Sequence, residues 1–144
     1  MQIIIQDPLP GEDESVIVNV KTMTDKIIRA LEILKSPDDL TVYAGDQALM
    51  LPVSAVFYAE SVEQKTFIYG EKEVYRSLLK LYEVEERLIL GDFLRISKQV
   101  IVNVKKIRSV APAGEGRFAA KLVNGETVMI SRQFVPALKG RFGL

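Results

Sequence analysis

Ten of the twelve charged side chains from Phe93 to Leu144 are cations, among them Lys98, Lys105, Lys106, Arg117, Lys121 and Arg132, opposed only by Glu115 and Glu126. The chain as a whole is neutral, with 19 Lys plus Arg against 19 Asp plus Glu, so the first 92 residues carry the compensating −8. A +8 stretch on a neutral protein is suited to holding a polyanion: nucleic acid, an anionic membrane surface, or the acidic face of another copy. Catalytic chemistry has few side chains to draw on. There is no cysteine and no histidine, which removes thiol nucleophiles, cysteine-based zinc sites and the commonest general base. Glu60 and Asp92 are the carboxylates that a small hydrolase or ligand sensor would use. Glu83, Glu85 and Glu86 fall on a short helical pattern in which neighbouring side chains diverge by about 100°, too far to act as a catalytic pair. GEGR at 114–117 lacks the fingerprint of a phosphate loop and reads as a hairpin turn. The residues therefore point to a non-enzymatic binding protein.

The elements that must position these cations follow from spacing. At 16.1 kDa with 48% apolar residues the chain is one ordinary globular domain or one domain with an appendage. IIIQ and SVIVNV read as two strands, and Ile27, Ile28, Leu31 and Leu34 mark a helix capped by Thr22 or Thr24 and ended by Ser36-Pro37. This small ββα segment, residues 1–39, precedes a second part, 40–144, of short β-branched runs: LTVYAG, QALMLP, AVFYAES, KTFIYG, EVYRSL, FLRIS, VIVNV, KIRSV, RFAAKLV and ETVMIS. LYEVEERL and QFVPALKG are short helices, the second ending at Gly140, and Asn124-Gly125 is a two-residue hairpin signal. The absence of alternating strand and helix excludes a doubly wound nucleotide fold. The expected fold is mainly β with short helices, α+β overall. The start has no basic leader, and the longest apolar run, Ala48 to Ala59, is broken by Pro52 and far shorter than a membrane helix, so a cytoplasmic location is expected.

Four phrases carry a resemblance: AVFYAESVEQKTFIYG, YRSLLKLYEVEERL, FLRISKQVIVNVKKIRSV and KLVNGETVMISRQFVPALKGRF. Together, from about Thr41 to Gly143, they are similar to the LytTR DNA-binding domain, the output module of LytR- and AgrA-like bacterial regulators. The resemblance implies an elongated, mostly antiparallel β fold whose loops, rather than a recognition helix, enter the major groove of double-stranded DNA, and hence a sequence-specific transcriptional regulator. It puts base-reading positions on Lys65 or Thr66, on Lys98 and on Arg132, and phosphate contacts on Arg117 and Ser131. Lys105, Lys106 and Lys121 are expected to add phosphate contacts by their charge. Ser97 and Lys98 depart from the His and Arg or Asn common in relatives. Asn103 is expected to tie a turn and Phe93 to pack under the basic loops.

About 40 residues ahead of this part are too few for a phosphorylatable receiver, which takes roughly 120, so a stand-alone regulator is expected. Its apolar N-terminal stripe points to a homodimer or another partner, and the resemblance adds a small membrane-protein inhibitor. No cofactor is expected. A different class stays open: a module for RNA or single strands, if Tyr43, Tyr58, Phe67 and Tyr69 form an open stacking platform.

Overall fold

The computed structural model describes residues 1–35, 38–88 and 92–144, and its contacts divide the chain into two units, Met1–Lys35 and Ser36–Leu144. In the first, the two expected strands do not form. Residues 1–24 hold no strand or helix, and Ile3, Ile5 and Ile17 are at least 78% exposed. Two short β-branched runs bury too little when nothing covers either face, and an isolated hairpin is marginal in water. The helix does form, as α1 (Asp25–Lys35). Thr24 caps it: its Oγ1 accepts from Ile27 N at 3.3 Å and its carbonyl from Ile28 N at 3.0 Å. Ile27 is buried, whereas Ile28 and Leu34 are exposed. The expected stop at Ser36-Pro37 lies outside the described residues.

The described residues of the second unit form ten strands: β1 (Asp39–Ala44), β2 (Gln47–Pro52), β3 (Tyr58–Val62), β4 (Lys65–Tyr69), β5 (Val74–Ser77), β6 (Phe93–Arg95), β7 (Val100–Asn103), β8 (Ile107–Gly114), β9 (Arg117–Leu122) and β10 (Thr127–Ile130). Each falls on one of the β-branched runs. Seven form an antiparallel sheet in the order β2-β1-β5-β4-β3-β7-β6, and the other three form a sheet in the order β10-β9-β8. Alternation along the strands sends side chains to two cores. The pair Ala59 and Ile101 joins Val42 and Ile68 beneath α2 (Leu81–Arg87), which contributes Leu81 and Val84. Val102, one residue on, belongs with Phe57 and Ile96 to a second core. That core is completed by Ala120, Leu122 and Ile130 of the small sheet and by Val135 and Leu138 of α3 (Val135–Phe142).

Turn chemistry closes the hairpins. Gly125 takes φ +92° after Asn124, whose Oδ1 accepts from Glu126 N. Leu122 N donates to Glu126 O at 2.8 Å, so the loop has three residues instead of the expected two. Helix α3 runs through Gly140 and stops at Gly143, the residue with the left-handed φ of +68°. The β3–β4 turn is unusual: both central residues, Glu63 and Gln64, are left-handed, with φ 50° and 66°, and neither is Gly, Asn or Asp. Such a turn costs about 1 kcal/mol or more per residue. Gln64→Gly is therefore expected to stabilise the protein by about 1 kcal/mol and to raise Tm by roughly 4 °C in a thermal melt. A lower Tm would show that the Gln64 side chain makes a contact worth more than the backbone strain.

Candidate nucleic-acid interface

Strands β3 and β7 run antiparallel, so each has one end near Val62 and Gln99 and the other near Phe57 and Asn103. At the first end, Ser61 N donates to Gln99 O at 2.8 Å, tying the Glu63-Gln64 hairpin, and with it Lys65, to the loop Ser97–Gln99 that carries Lys98. That loop is closed by Ile96 N donating to Val100 O at 3.0 Å and by Gln99 N donating to Ser97 Oγ at 3.2 Å. Ile96 O accepts from Ser131 N at 2.8 Å, which brings the turn Ser131–Phe134 alongside. The stem of Arg132 then crosses the tip of the β8–β9 hairpin. A methyl group on Gly116 would lie only 2.6 Å from Arg132 Cδ, so glycine alone leaves room for the arginine there. Gly114, Glu115 and Gly116 are all left-handed, and Arg117 Nε donates back to Gly114 O at 3.3 Å.

One end of the unit thus gathers Lys65, Lys98, Arg117, Ser131 and Arg132 on four adjacent turns. The four cations are exposed. The ion pair of Arg117 is loose, with Glu115 at 3.9 Å and itself 86% exposed, and such a pair is worth little in water. Thr66 does not belong to this surface. It is 2% exposed, facing Ser61 and Ser77 across the sheet, so between the two neighbours Lys65 is the accessible one.

Three expected phosphate contacts stand elsewhere. Lys105 and Lys106 follow Asn103, whose amide bonds to Phe57 O, at the opposite end of β7. Lys121 pairs with Ser109 and Thr127 beside the Asn124-Gly125 turn. From the Ile107 end of β8 to Gly114 the strand spans eight residues, about 23 Å at 3.3 Å per residue, so Lys105 and Lys106 lie a strand's length from Arg117, while Lys121, four residues along β9, lies about 13 Å from it. Lys105 is paired with Asp92 at 3.1 Å, which also accepts from Arg141 at 3.0 Å, and Lys106 lies over the Phe57 ring at 5.1 Å. Phe93 is likewise displaced. It pairs with Asn103 and packs against the α2 core instead of under the basic loops.

Sequence reasoning missed Arg95 and Gly116. The first carried a signal, a charge inside a three-residue strand; the second carried none, because its close approach to Arg132 joins segments 16 residues apart. The carboxylates raised as catalytic candidates are engaged: Glu60 accepts from Tyr69 Oη at 3.3 Å, and Asp92 holds its two cations. The aromatic rings turn to one another. Tyr58 and Tyr69 stack at 4.1 Å and 11°, and Arg76 covers Phe67 at 5.8 Å. Burial first, then Glu126, pushes the Tyr58 phenol well above its usual value, and burial followed by Glu60 raises that of Tyr69. Both rings are neutral at any physiological pH, and one face of each is already covered.

Residues 46–143 match the LytTr DNA-binding domain family. The chain belongs to that family. The matched span holds every residue of the basic end and omits α1 and β1. A solved LytTr DNA-binding domain from Bacillus cereus superposes with a TM-score of 0.69 at 28% identity, covering 75% of this chain and 99% of that one. The LytTr chain is also 26% identical over 83 residues to the transcriptional regulatory protein YpdB of Escherichia coli K12, spanning 58% of this chain but 34% of that protein. The sensory transduction protein LytT of Enterococcus faecalis is 28% identical over 69% of this chain and 42% of its own length. The chain thus spans well under half of these relatives. An HTH-type transcriptional regulator of Staphylococcus aureus is 27% identical and covers 93% of both chains. Among the described residues of this LytTr protein, no helix is long and apolar enough to cross a membrane.

Proposed function

We propose that this LytTr protein is a sequence-specific transcriptional regulator that inserts its basic end into the major groove of double-stranded DNA. The supporting observation is the convergence of Lys65, Lys98, Arg117 and Arg132 on adjoining turns linked by the Ser61–Gln99 and Ser131–Ile96 hydrogen bonds. The major groove, about 12 Å wide, admits paired β-turns. Arg132 offers a fixed fork to guanine O6 and N7, and Lys98 and Lys65 offer single charges to base edges on either side. Arg117 and Ser131 hold phosphates. The N-terminal unit, with Ile28 and Leu34 exposed on α1, is the surface for a homodimer or for a membrane-protein inhibitor, and the protein works in the cytoplasm. With the rings of Tyr58 and Tyr69 stacked on each other, a single-strand platform is disfavoured.

Selection of bound duplexes from a random pool, followed by footprinting and competition with single strands, tests this reading. A pool that yields no preferred duplex, or a single strand that competes equally, would refute it. Salt dependence tests the geometry. Four cations at the basic end give a slope of log K against log salt of about −3.6, whereas seven, with Lys105, Lys106 and Lys121 included, give about −6.3. The measured slope is expected near the smaller value, and Lys105→Ala is expected to leave it unchanged.

A further inference from the structure

We infer that Arg95 is a positioning residue that sets the conformation of the Lys98 loop and thereby its base preference; this rests on the proposed reading of DNA by that loop. Arg95 is a cation that the basic end does not display. It belongs to β6 under the loop, its side chain is 26% exposed, and each of its three nitrogens donates to a neighbour. Nε donates to Ser97 O at 2.8 Å, Nη2 donates to Lys98 O, and Nη1 meets Glu85 Oε2 of α2 at 3.3 Å.

The two carbonyls belong to consecutive peptide units at the turn of the loop, where the strand ladder provides no partner for them. A planar fork that grips both fixes the direction of the Lys98 side chain. Lysine has a single compact charge and cannot hold two carbonyls and a carboxylate in one plane. Glu85 anchors the far side of the guanidinium to α2, whose Leu81 and Val84 are seated in the core, so the loop is referenced to the rigid body of the domain. Glu85 also neutralises Arg95, which separates this role from phosphate binding: a guanidinium already paired adds little to counterion release.

The test compares Arg95→Lys and Glu85→Ala with the wild type in the full chain, on the best duplex from the selection and on a scrambled duplex, together with backbone amide order of Ser97–Gln99 measured by NMR without DNA. For Arg95→Lys, affinity for the selected duplex is expected to fall roughly tenfold, as a loosened reading group does. Affinity for the scrambled duplex should change less than about twofold and the salt slope should stay the same, while amide order in the loop drops. Glu85→Ala keeps both carbonyl bonds and should move each readout the same way by less. Equal losses on both duplexes would make Arg95 a sequence-independent phosphate contact and overturn the inference. An unchanged affinity ratio in Arg95→Lys would overturn it as well. A wild type without duplex preference would refute the proposed function instead, and loop order, read without DNA, would still show whether Arg95 holds the turn.

Discussion

Arg132→Ala is expected to weaken binding to the preferred duplex by about 1 to 3 kcal/mol, roughly 5- to 150-fold, and to relax the preference at one base pair. The size follows from what the side chain can do. A bidentate arginine on guanine discriminates against every other base, whereas a phosphate contact would be lost equally on all sequences. Its direction is set by the Gly116 turn, over which the arginine stem lies. A matched variant isolates that support: Gly116→Ala, at φ +77° and with its methyl 2.6 Å from Arg132 Cδ, must push the arginine aside while leaving its charge in place. It is expected to lose selectivity as Arg132→Ala does and to keep the salt slope of the parent. A gel-shift titration of both variants on selected and scrambled duplexes decides the matter. Unchanged site preference in Arg132→Ala would remove that residue from the readers.

Asn103→Ala is expected to cost about 2 to 4 kcal/mol of folding stability. Asn103 is 3% exposed, and both ends of its amide are used: Nδ2 donates to Val56 O at 2.9 Å and Oδ1 accepts from Lys105 N at 3.0 Å. Alanine removes both bonds, leaving the Val56 carbonyl unpaired where its bond was buried and freeing the amide of the exposed Lys105; the buried carbonyl is the more costly loss. The bond to Val56 also joins the start of β3 to the exit of β7, so its loss loosens the end of the sheet farthest from the basic turns. Urea unfolding should show a lower midpoint with an unchanged slope. The folded fraction should bind DNA as the parent does, because no reading residue is involved. A midpoint shift below that of an ordinary surface substitution would mean that water replaces both partners.

The comparison of these two residues shows what is legible in order along the chain. Asn103 as the tie of a turn follows from its own neighbourhood, since an Asx side chain bonds backbone two residues ahead, and here it does so to Lys105. The Gly116 slot for Arg132 follows from nothing local. The same division runs through the cations. Lys98 and Lys105 are seven residues apart, and an alternating charge count treats them alike, but β7 lies between them and carries them to opposite ends of the sheet. Thr66 and Lys65 are adjacent, and the pleat turns one into the sheet and the other out.

By itself, the sequence determined the strand-forming runs, most turn positions, the charge asymmetry and the family, because these depend on side-chain type, on period and on residues close in order. Tertiary structure alone decided which cations meet, which strands are covered well enough to exist and which arginine is turned inward. The failure of Ile3–Ile5 and Val16–Val20 to become strands has the same cause as the displacement of Lys105. Burial and proximity are properties of chain reversals between distant segments, and no window along the chain contains both partners.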